Sequence, residues 1–376
     1  MSLRGLLMTF LGSFAGRVLW GAIVDHHEHT REPALVFGQD LERALFEEVR
    51  HSPAELVDPA AADASLDPSS EGYRFYRYDP ARGFRLAPNA VTDDFVIDGH
   101  PELGSYTITT DALGLRGAPR PPPEPGALKV LVLGDSMTFG KGVQDGETFP
   151  CVLEGLLAER LGRPVRVYNA GVSSYGQIEE AATLAELAPQ LEPDVVLLAF
   201  TLANDLSDDL RWREGVQPLV RDDEAAELFQ HLALDNPLAW WSRTYRLLAW
   251  RWGRHVLRYR IVSEPGVLDR GARLLAKVRD AAGGSPFGVA IVPPQFEVQG
   301  HWAVPLMATD AIRAGLTQRL EQLGIPLCDP LAALQAEDAS DQALYIPGDL
   351  HFTAAGHRAF AEAIAPFVAE LAGARK

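Results

Sequence analysis

From Leu128 to the C terminus, short apolar segments alternate with longer segments of helical composition, and this alternation restricts the fold more than any other feature. Most of these short segments are apolar without alternation, which is typical of strands buried on both faces. They cover residues 129–133, 165–168, 195–200 and 288–292, with a shorter strand at 325–328. Helices are predicted at residues 148–161, 179–191, 311–323 and 354–371. Such alternation predicts a three-layer α/β/α domain with a parallel central sheet over residues 128–376.

The chain before this domain begins with a mostly apolar segment, residues 5–24, which Arg4 precedes and Arg17 interrupts. A helix that spans a membrane needs about 20 predominantly apolar residues, and a charge in its middle is costly. Two interpretations of residues 1–24 therefore remain open. The segment is either a signal or membrane anchor, or a helix docked on the domain.

Residues 25–70 read as a helical or linker segment, because residues 51–70 are rich in Ala, Pro, Ser and Asp. The His and carboxylate cluster at residues 25–29 is interpreted as a solvated junction, since metal ligands must converge in space. Residues 71–127 predict a small β-rich module, with a β-branched segment at 105–110 and frequent turn residues. The proline-rich residues 120–125 predict a stiff spacer before the domain.

Charge and cysteine content exclude several classes of protein. The 376 residues include 34 Lys and Arg against 51 Asp and Glu, a formal net charge of −17. A protein that binds the phosphate backbone of nucleic acids needs a dominant basic surface, so no nucleic-acid partner is predicted. The two cysteines, Cys151 and Cys328, exclude a disulfide framework and a four-thiolate zinc site, and are interpreted as unpaired small apolar residues.

Four motifs follow predicted strands or precede the last helix. Because ligands of parallel sheets bind beyond the carboxyl ends of the strands, we expect these motifs to converge. The first is Gly134-Asp135-Ser136, which places Ser136 at a strand-to-helix turn, where it would serve either as a nucleophile or as a helix N-cap. The others are the loop at residues 169–176, Asn204 after the third strand, and Asp349-Leu350-His351 before the last helix.

Taken together, these motifs resemble the blocks of the SGNH (GDSL-type) hydrolase superfamily, over about Leu128 to the C terminus. The resemblance implies a flavodoxin-like fold and a serine esterase, with Ser136 as nucleophile, His351 as general base and Asp349 orienting His351. It further implies an oxyanion hole, whose expected donors are the backbone N–H of Ser136, the backbone N–H of Ser174 and the amide of Asn204, with Gly171 and Gly176 as alternatives in the second loop. Residues 79–117 also look like the leader of bacterial extracytoplasmic members.

The sequence departs from the family pattern at three points. Leu202 and Ser174 stand where the family usually has glycine, and the Asp349–His351 spacing is one residue shorter than in many members. That spacing resembles polysaccharide O-acetyltransferases of the alginate type. Three functions therefore remain open: a carboxylic ester hydrolase, an O-acyltransferase that acts on a bacterial glycan, and a non-catalytic glycan-binding relative.

Other residues near the motifs receive structural interpretations. His357 is expected to be buried in the last helix, Asp205 to cap the segment after the third strand, and Asp135 to brace the turn before Ser136. Asp329 is a weaker candidate for lining the crevice.

A long insertion, about residues 207–284, separates the third and fourth strands of the domain, and its core at 237–262 is rich in Trp and Arg. That core is interpreted as a packed lid helix, with a substrate or partner surface and a membrane contact as alternatives. No metal or organic cofactor is predicted. The expected substrate is a small-molecule or glycan acyl ester, and residues 5–24 are the candidate for membrane association. A bacterial, extracytoplasmic or membrane-associated location is expected, with the cytoplasm left open.

Overall fold

In the computed structural model, the strands that the described residues form make up one five-stranded parallel sheet and two separate antiparallel hairpins. The residues that the structure describes are 75–79, 81–96, 105–202, 204–206, 259, 262–263, 265–301, 304, 307–338, 343–347, 349 and 351–374. The strands are β1 Tyr76–Asp79, β2 Gly83–Leu86, β3 Val91–Val96, β4 Ser105–Thr109, β5 Leu128–Gly134, β6 Val165–Asn169, β7 Val195–Thr201, β8 Phe287–Val292 and β9 Leu327–Cys328. The helices are α1 Ser136–Phe139, α2 Phe149–Leu161, α3 Gln177–Leu191, α4 Pro265–Ala281, α5 Gln295–Val298, α6 Thr309–Gln322, α7 Leu331–Asp338 and α8 Ala354–Gly373.

The central sheet has the strand order β6-β5-β7-β8-β9, and every neighbouring pair is parallel. If these five strands are counted along the chain, the order is 2-1-3-4-5, which is that of the flavodoxin-like fold. The predicted α/β/α fold with a parallel central sheet is thereby confirmed. The order reverses direction between β5 and β7, and it is at this point that doubly wound sheets open a crevice for ligands.

Helices cover both faces of the sheet. On one face, α2 and α8 pack against each other, and their apolar side chains share a core with alternate residues of β5 such as Val130 and Val132. Leu131 and Leu133 are also fully buried, and the two-residue period of a strand directs them to the opposite face. The helices α3, α4 and α6 contact one another in series, and α3 contacts β5. Because both faces are covered, β7 and β8 are buried at every position, whereas the edge strand β6 alternates buried and half-buried residues.

The ends of several elements follow from local sequence. The side chain of Asp135 accepts a hydrogen bond from the N–H of Met137 and so caps α1, which has room for only one turn. Thr353 caps α8 in the same way, since its hydroxyl accepts from the N–H of Gly356 at 3.1 Å. Gly162 ends α2 in the left-handed conformation, with φ of 62°.

The helix α4 lies inside the region that the sequence assigned to the insertion. It buries Val267, Leu268, Leu275 and Val278 and packs on α3 and α6, so it serves as the crossover helix between β7 and β8. Of residues 237–262, the structure describes only Tyr259 and Val262, which are both buried. Residues 207–258 lie outside the described residues.

The β hairpins before the sheet pair β1 with β2 and β3 with β4. The predictions for residues 1–24 and 25–70, including the cluster at residues 25–29, lie outside the described residues. Among the helices that the structure does describe, none is both long and apolar enough to cross a membrane. Cys151 and Cys328 are both free thiols.

Candidate active site

Ser136 begins α1 directly after β5, at the carboxyl edge of the central sheet. Asn204 follows β7, the strand next to β5 on the other side of the reversal in strand order. Gly134 makes the sharp turn into α1 possible, because its φ is 151° and a Cβ atom there would lie only 2.1 Å from the hydroxyl of Thr138. The candidate site therefore lies at the switch point of the sheet.

His351 links Ser136 to Asp349 across the edge of the sheet. Its Nε2 lies 2.9 Å from Ser136 Oγ, although the two residues are 215 positions apart in the sequence. Its Nδ1 lies 2.5 Å from Asp349 Oδ1, and the same oxygen accepts the backbone N–H of His351 at 3.1 Å. Because a carboxylate only accepts hydrogen bonds, this contact assigns the proton to Nδ1 and leaves Nε2 as the acceptor toward the Ser136 hydroxyl. The three side chains thus form a connected relay that can take a proton from Ser136.

Asp135 is buried beside Ser136, with 1% of its surface exposed. Its Oδ1 accepts from the N–H of Met137 and from the hydroxyl of Thr201, each at 2.9 Å, and its Oδ2 accepts from the amide of Asn204 at 2.9 Å. Burial raises the pKa of the Asp135 carboxyl, and the hydrogen bonds from Asn204, Met137 and Thr201 oppose that rise. Asp135, and not Ser136, is therefore the N-cap, and it ties the turn that carries Ser136 to Asn204.

The second loop turns at Ser174, whose φ of 66° is in the left-handed region that glycine usually occupies. The N–H of Tyr175 donates to the carbonyl of Val172 at 3.2 Å and closes this turn. Within the described part of the chain, no acceptor of the Ser174 N–H is found. The substitution of serine for the usual glycine has therefore left the positive-φ turn in place.

The two alternative donors in that loop are occupied. The N–H of Gly171 donates to Asn169 Oδ1 at 3.0 Å, and the N–H of Gly176 donates to Glu179 Oε2 at 3.1 Å. The position of Gly171 leaves no room for a side chain, since a Cβ atom there would lie 2.3 Å from the backbone nitrogen of Phe139 in α1. The geometry thus favours Ser174 over both glycines as a donor to a ligand.

Asn169 and Thr201 are polar residues of the site that the sequence analysis did not single out. The amide of Asn169 donates to the carbonyl of Thr138 at 2.8 Å, while its oxygen accepts from Gly171, so it fastens α1 to the second loop. Asn169 ends β6 and Thr201 ends β7. A polar residue at the carboxyl end of a strand of this sheet is the signal that could have identified them.

Leu202 is another residue at which the sequence departs from the family pattern. Its side chain is 1% exposed, and its N–H donates to the carbonyl of Val292 at 3.2 Å. The leucine is therefore accommodated as part of the core at the end of β7.

His357 lies inside α8 and is 1% exposed, as the sequence analysis expected. Its Nδ1 accepts from the N–H of Phe149 at 3.2 Å, and the rings of Phe149 and Phe352 pack against the imidazole. Burial lowers the pKa of His357 to about 3, with smaller contributions from His351 and Arg116. It is a neutral core residue and not part of the relay.

Asp205 and Asp329 also have structural contacts. Asp205 is fully buried and accepts from the N–H of Thr201 at 2.9 Å, so it closes the turn after β7. Asp329 is exposed, pairs with Arg313 at 2.7 Å, and accepts from the N–H of Leu331 at the start of α7. Among the described residues, no group of three or more His, Cys, Asp or Glu side chains is arranged to hold a metal ion.

Solved structures of several other proteins are similar to this chain at low sequence identity. Solved structures similar to it include TesA, at 15% identity over 65% of this chain and 99% of that chain, with a TM-score of 0.38. A catalytic mutant of an acetylxylan esterase from Geobacillus stearothermophilus is 17% identical, over 64% of this chain and 94% of that chain, with a TM-score of 0.38. The psychrotrophic esterase EstA from Pseudoalteromonas sp. is 15% identical, over 63% of this chain and 93% of that chain, with a TM-score of 0.36.

No curated protein shows significant sequence similarity to the chain. Residues 132–359, which include Ser136, Asn204, Asp349 and His351, match the model of the GDSL-like Lipase/Acylhydrolase family. The resemblance to SGNH (GDSL-type) hydrolases drawn from the four motifs is thereby confirmed. Because the match spans more than half of the chain, the protein belongs to the GDSL-like lipase/acylhydrolase family.

Proposed function

We propose that this protein hydrolyses carboxylic esters through an acyl-enzyme on Ser136. The observation that carries the proposal is the relay of Ser136 Oγ, His351 and Asp349, with contacts of 2.9 and 2.5 Å. A serine hydroxyl is a weak nucleophile until a base takes its proton, and a base must itself be held in one tautomer to do so. The contact with Asp349 Oδ1 supports that tautomer of His351.

In the acylation half-reaction, Ser136 Oγ attacks the ester carbonyl carbon while His351 Nε2 accepts the hydroxyl proton. The resulting tetrahedral intermediate collapses, the bond between the carbonyl carbon and the alcohol oxygen breaks, and His351 returns the proton to that oxygen. The alcohol leaves and the acyl group remains on Ser136. In the second half-reaction, water gives a proton to His351 and attacks the acyl carbon, and Ser136 leaves with the proton, so the products are the acid and the free enzyme.

The tetrahedral intermediates carry a negative oxygen that needs preorganised donors. We assign this role to the backbone N–H groups of Ser136 and Ser174 and to the amide of Asn204. The hydrogen bond from Asn204 to the buried Asp135 uses one of the two N–H hydrogens of the amide and fixes the plane of the group. Asp135 is therefore a positioning residue for this donor.

The test is a panel of short-chain acyl esters with the wild type and Ser136→Ala, together with labelling by a fluorophosphonate. We expect the wild type to label at Ser136 and the variant to lose about 10⁶-fold in kcat, the scale of loss for a missing triad nucleophile. Ser285→Ala is the control, because the Ser285 hydroxyl only contacts the carbonyl of Pro193. A folded wild type that neither labels nor turns over any ester would favour the non-catalytic alternative instead.

A second candidate is transfer of the acyl group to a glycan hydroxyl, by the same acyl-enzyme. The shorter spacing between Asp349 and His351 is the observation that favours it. In this reaction a sugar hydroxyl replaces water in the second half-reaction. The test measures how a labelled acetyl group partitions between water and added oligosaccharide. Labelled acetylated oligosaccharide would support transfer, and free acetate as the only product would exclude it.

A further inference from the structure

A second hydrophobic cluster lies under the candidate active site, separate from the core between α2 and α8. Residues 75–117, which we call the leader segment, supply half of its buried side chains. These are Phe75, Leu86, Tyr106 and Ile108, each at most 4% exposed. Among the described residues of the leader segment, the pairing with the central sheet is one bridge, between Arg116 and Asn169.

The other members of this cluster come from the three loops that carry the candidate catalytic groups. Phe139 belongs to α1 and follows Ser136, while Val172 and Tyr175 flank Ser174 in the second loop. Ile346 donates its N–H to the carbonyl of His351 and accepts from the N–H of Asp349, so it closes the turn that holds both residues. The leader segment therefore shares one core with all three loops.

Direct contacts link the leader segment to two of these loops. The ring of Phe75 meets the ring of Phe139 edge-on, with centroids 5.8 Å apart. The ring of Phe84 packs on Tyr175 at 5.5 Å, and the hydroxyl of Tyr175 donates to the carbonyl of Phe84 at 2.5 Å. Tyr76 also forms a side-chain hydrogen bond with Ser173, the neighbour of Ser174.

Arg116 adds polar contacts that hold the turn carrying Ser136 and the loop after it. Its side chain is 1% exposed, and the guanidinium lies 4.9 Å from the centre of the Phe139 ring. It donates to the carbonyl of Val143 at 2.9 Å and pairs with Asp145 at 2.9 Å, both in the loop after α1. Its backbone N–H donates to Asn169, the residue that fastens α1 to the second loop. A buried cation with this many fixed partners defines one position for the loop.

We propose that the leader segment is a positioning platform for the catalytic loops, and that Arg116 is its positioning residue for the turn that carries Ser136. The kinetic part of this inference rests on the proposed function. Catalysis requires Ser136, His351 and the oxyanion donors to keep a fixed mutual geometry, and a displacement of about 1 Å can cost about 10²-fold in rate. The platform supplies that constraint from outside the family motifs.

The first experiment compares ester hydrolysis by Arg116→Met, Arg116→Lys and Arg85→Met. Arg85→Met is the matched control, because Arg85 also lies in the leader segment and its side chain pairs with Glu186 of α3 at 3.0 Å. We expect Arg116→Met to lower kcat by about 10- to 100-fold with KM within about twofold, Arg116→Lys to restore part of the loss, and the control to match the wild type. Wild-type kcat in a folded Arg116→Met protein would overturn the proposal.

The second experiment does not depend on activity. Amide hydrogen exchange reports local opening, so Arg116→Met should speed exchange selectively in residues 136–145 and 171–176, whereas Arg85→Met should not. If the wild type hydrolyses no ester but this selective change appears, the proposed function fails and the platform stands. Unchanged or uniformly faster exchange would overturn the platform. Tyr175→Phe, which removes only the hydroxyl that binds Phe84, provides the same test at residues 171–176 if Arg116→Met does not fold.

Discussion

Acidification should destabilise this protein through His357, a residue outside the catalytic relay. The imidazole is 1% exposed and its Nδ1 accepts the N–H of Phe149, and burial lowers its pKa from 6.5 to about 3. Between these two values the unfolded chain binds a proton on His357 and the folded chain does not. A group whose pKa is depressed by folding favours the folded state at high pH and loses that contribution as the pH falls.

The magnitude follows from the two pKa values. From pH 7 to pH 5, protonation of the unfolded chain alone lowers the free energy of unfolding by about 2 kcal/mol. At lower pH the loss approaches about 1.4 kcal/mol per pH unit, and it ends near pH 3 after a total of about 5 kcal/mol. Carboxylates titrate over part of the same range, so the contribution of His357 must be measured as a difference between variants.

The assay is urea unfolding of the wild type and His357→Asn at several pH values from 7 to 4.5. The asparagine oxygen can still accept the N–H of Phe149 but does not titrate, so we expect a shallower loss of stability with falling pH, by about 2 kcal/mol between pH 7 and 5. Leu316→Ala is the control, because it leaves a cavity among the buried residues of α6, a helix without histidine, and should lower stability by a similar amount at every pH. Parallel curves for the wild type and His357→Asn would refute the assignment of a depressed pKa to this residue.

Three further predictions concern single contacts. Asp349→Asn should lower kcat by about 10⁴-fold with little change in fold, because the asparagine amide can donate to Nδ1 and so hold His351 in the wrong tautomer. Gly171→Ala should cost about 1–3 kcal/mol of stability and lower kcat, since its Cβ would lie 2.3 Å from α1, whereas Gly155→Ala, with nothing within 4 Å of the new Cβ, should be neutral or stabilising. Arg313→Met should cost about 3–5 kcal/mol, because it leaves Glu297, 3% exposed and with a pKa already raised by burial, without this ion-pair partner.

Steady-state kinetics and urea midpoints measure these effects, and each has a result that contradicts its reasoning. Wild-type kcat in Asp349→Asn would remove that residue from the relay. Equal effects of the two glycine substitutions would mean that the close approach to α1 is not limiting. A small change in the urea midpoint of Arg313→Met would show that Glu297 forms another ion pair or hydrogen bond, or that it is protonated without loss of stability.

The sequence by itself determined the class of fold and the motifs of the site. Strands buried on both faces must be apolar, as residues 130–133 and 195–200 are, and this pattern is local enough to be read from composition alone. The position of Ser136 at the end of a strand and of His351 just before a helix are local features of the same kind. Because the carboxyl ends of parallel strands share one edge, these features also predicted where the motifs would meet.

Only the tertiary structure decided which backbone N–H groups already form hydrogen bonds and which distant segments contact one another. That Gly171 and Gly176 have their N–H groups occupied depends on side-chain rotamers and loop conformation, which no spacing rule specifies. The apolar residues of α4 recur at helical spacing from Val267 to Val278, but its place as the crossover helix became clear only from its packing on α3 and α6. The contact of Arg116 with the loop after Ser136 likewise joins segments that are remote in the chain. Strand order, donor occupancy and the shared cluster beneath the site are long-range properties, which depend on how distant segments pack rather than on the residues within any one of them.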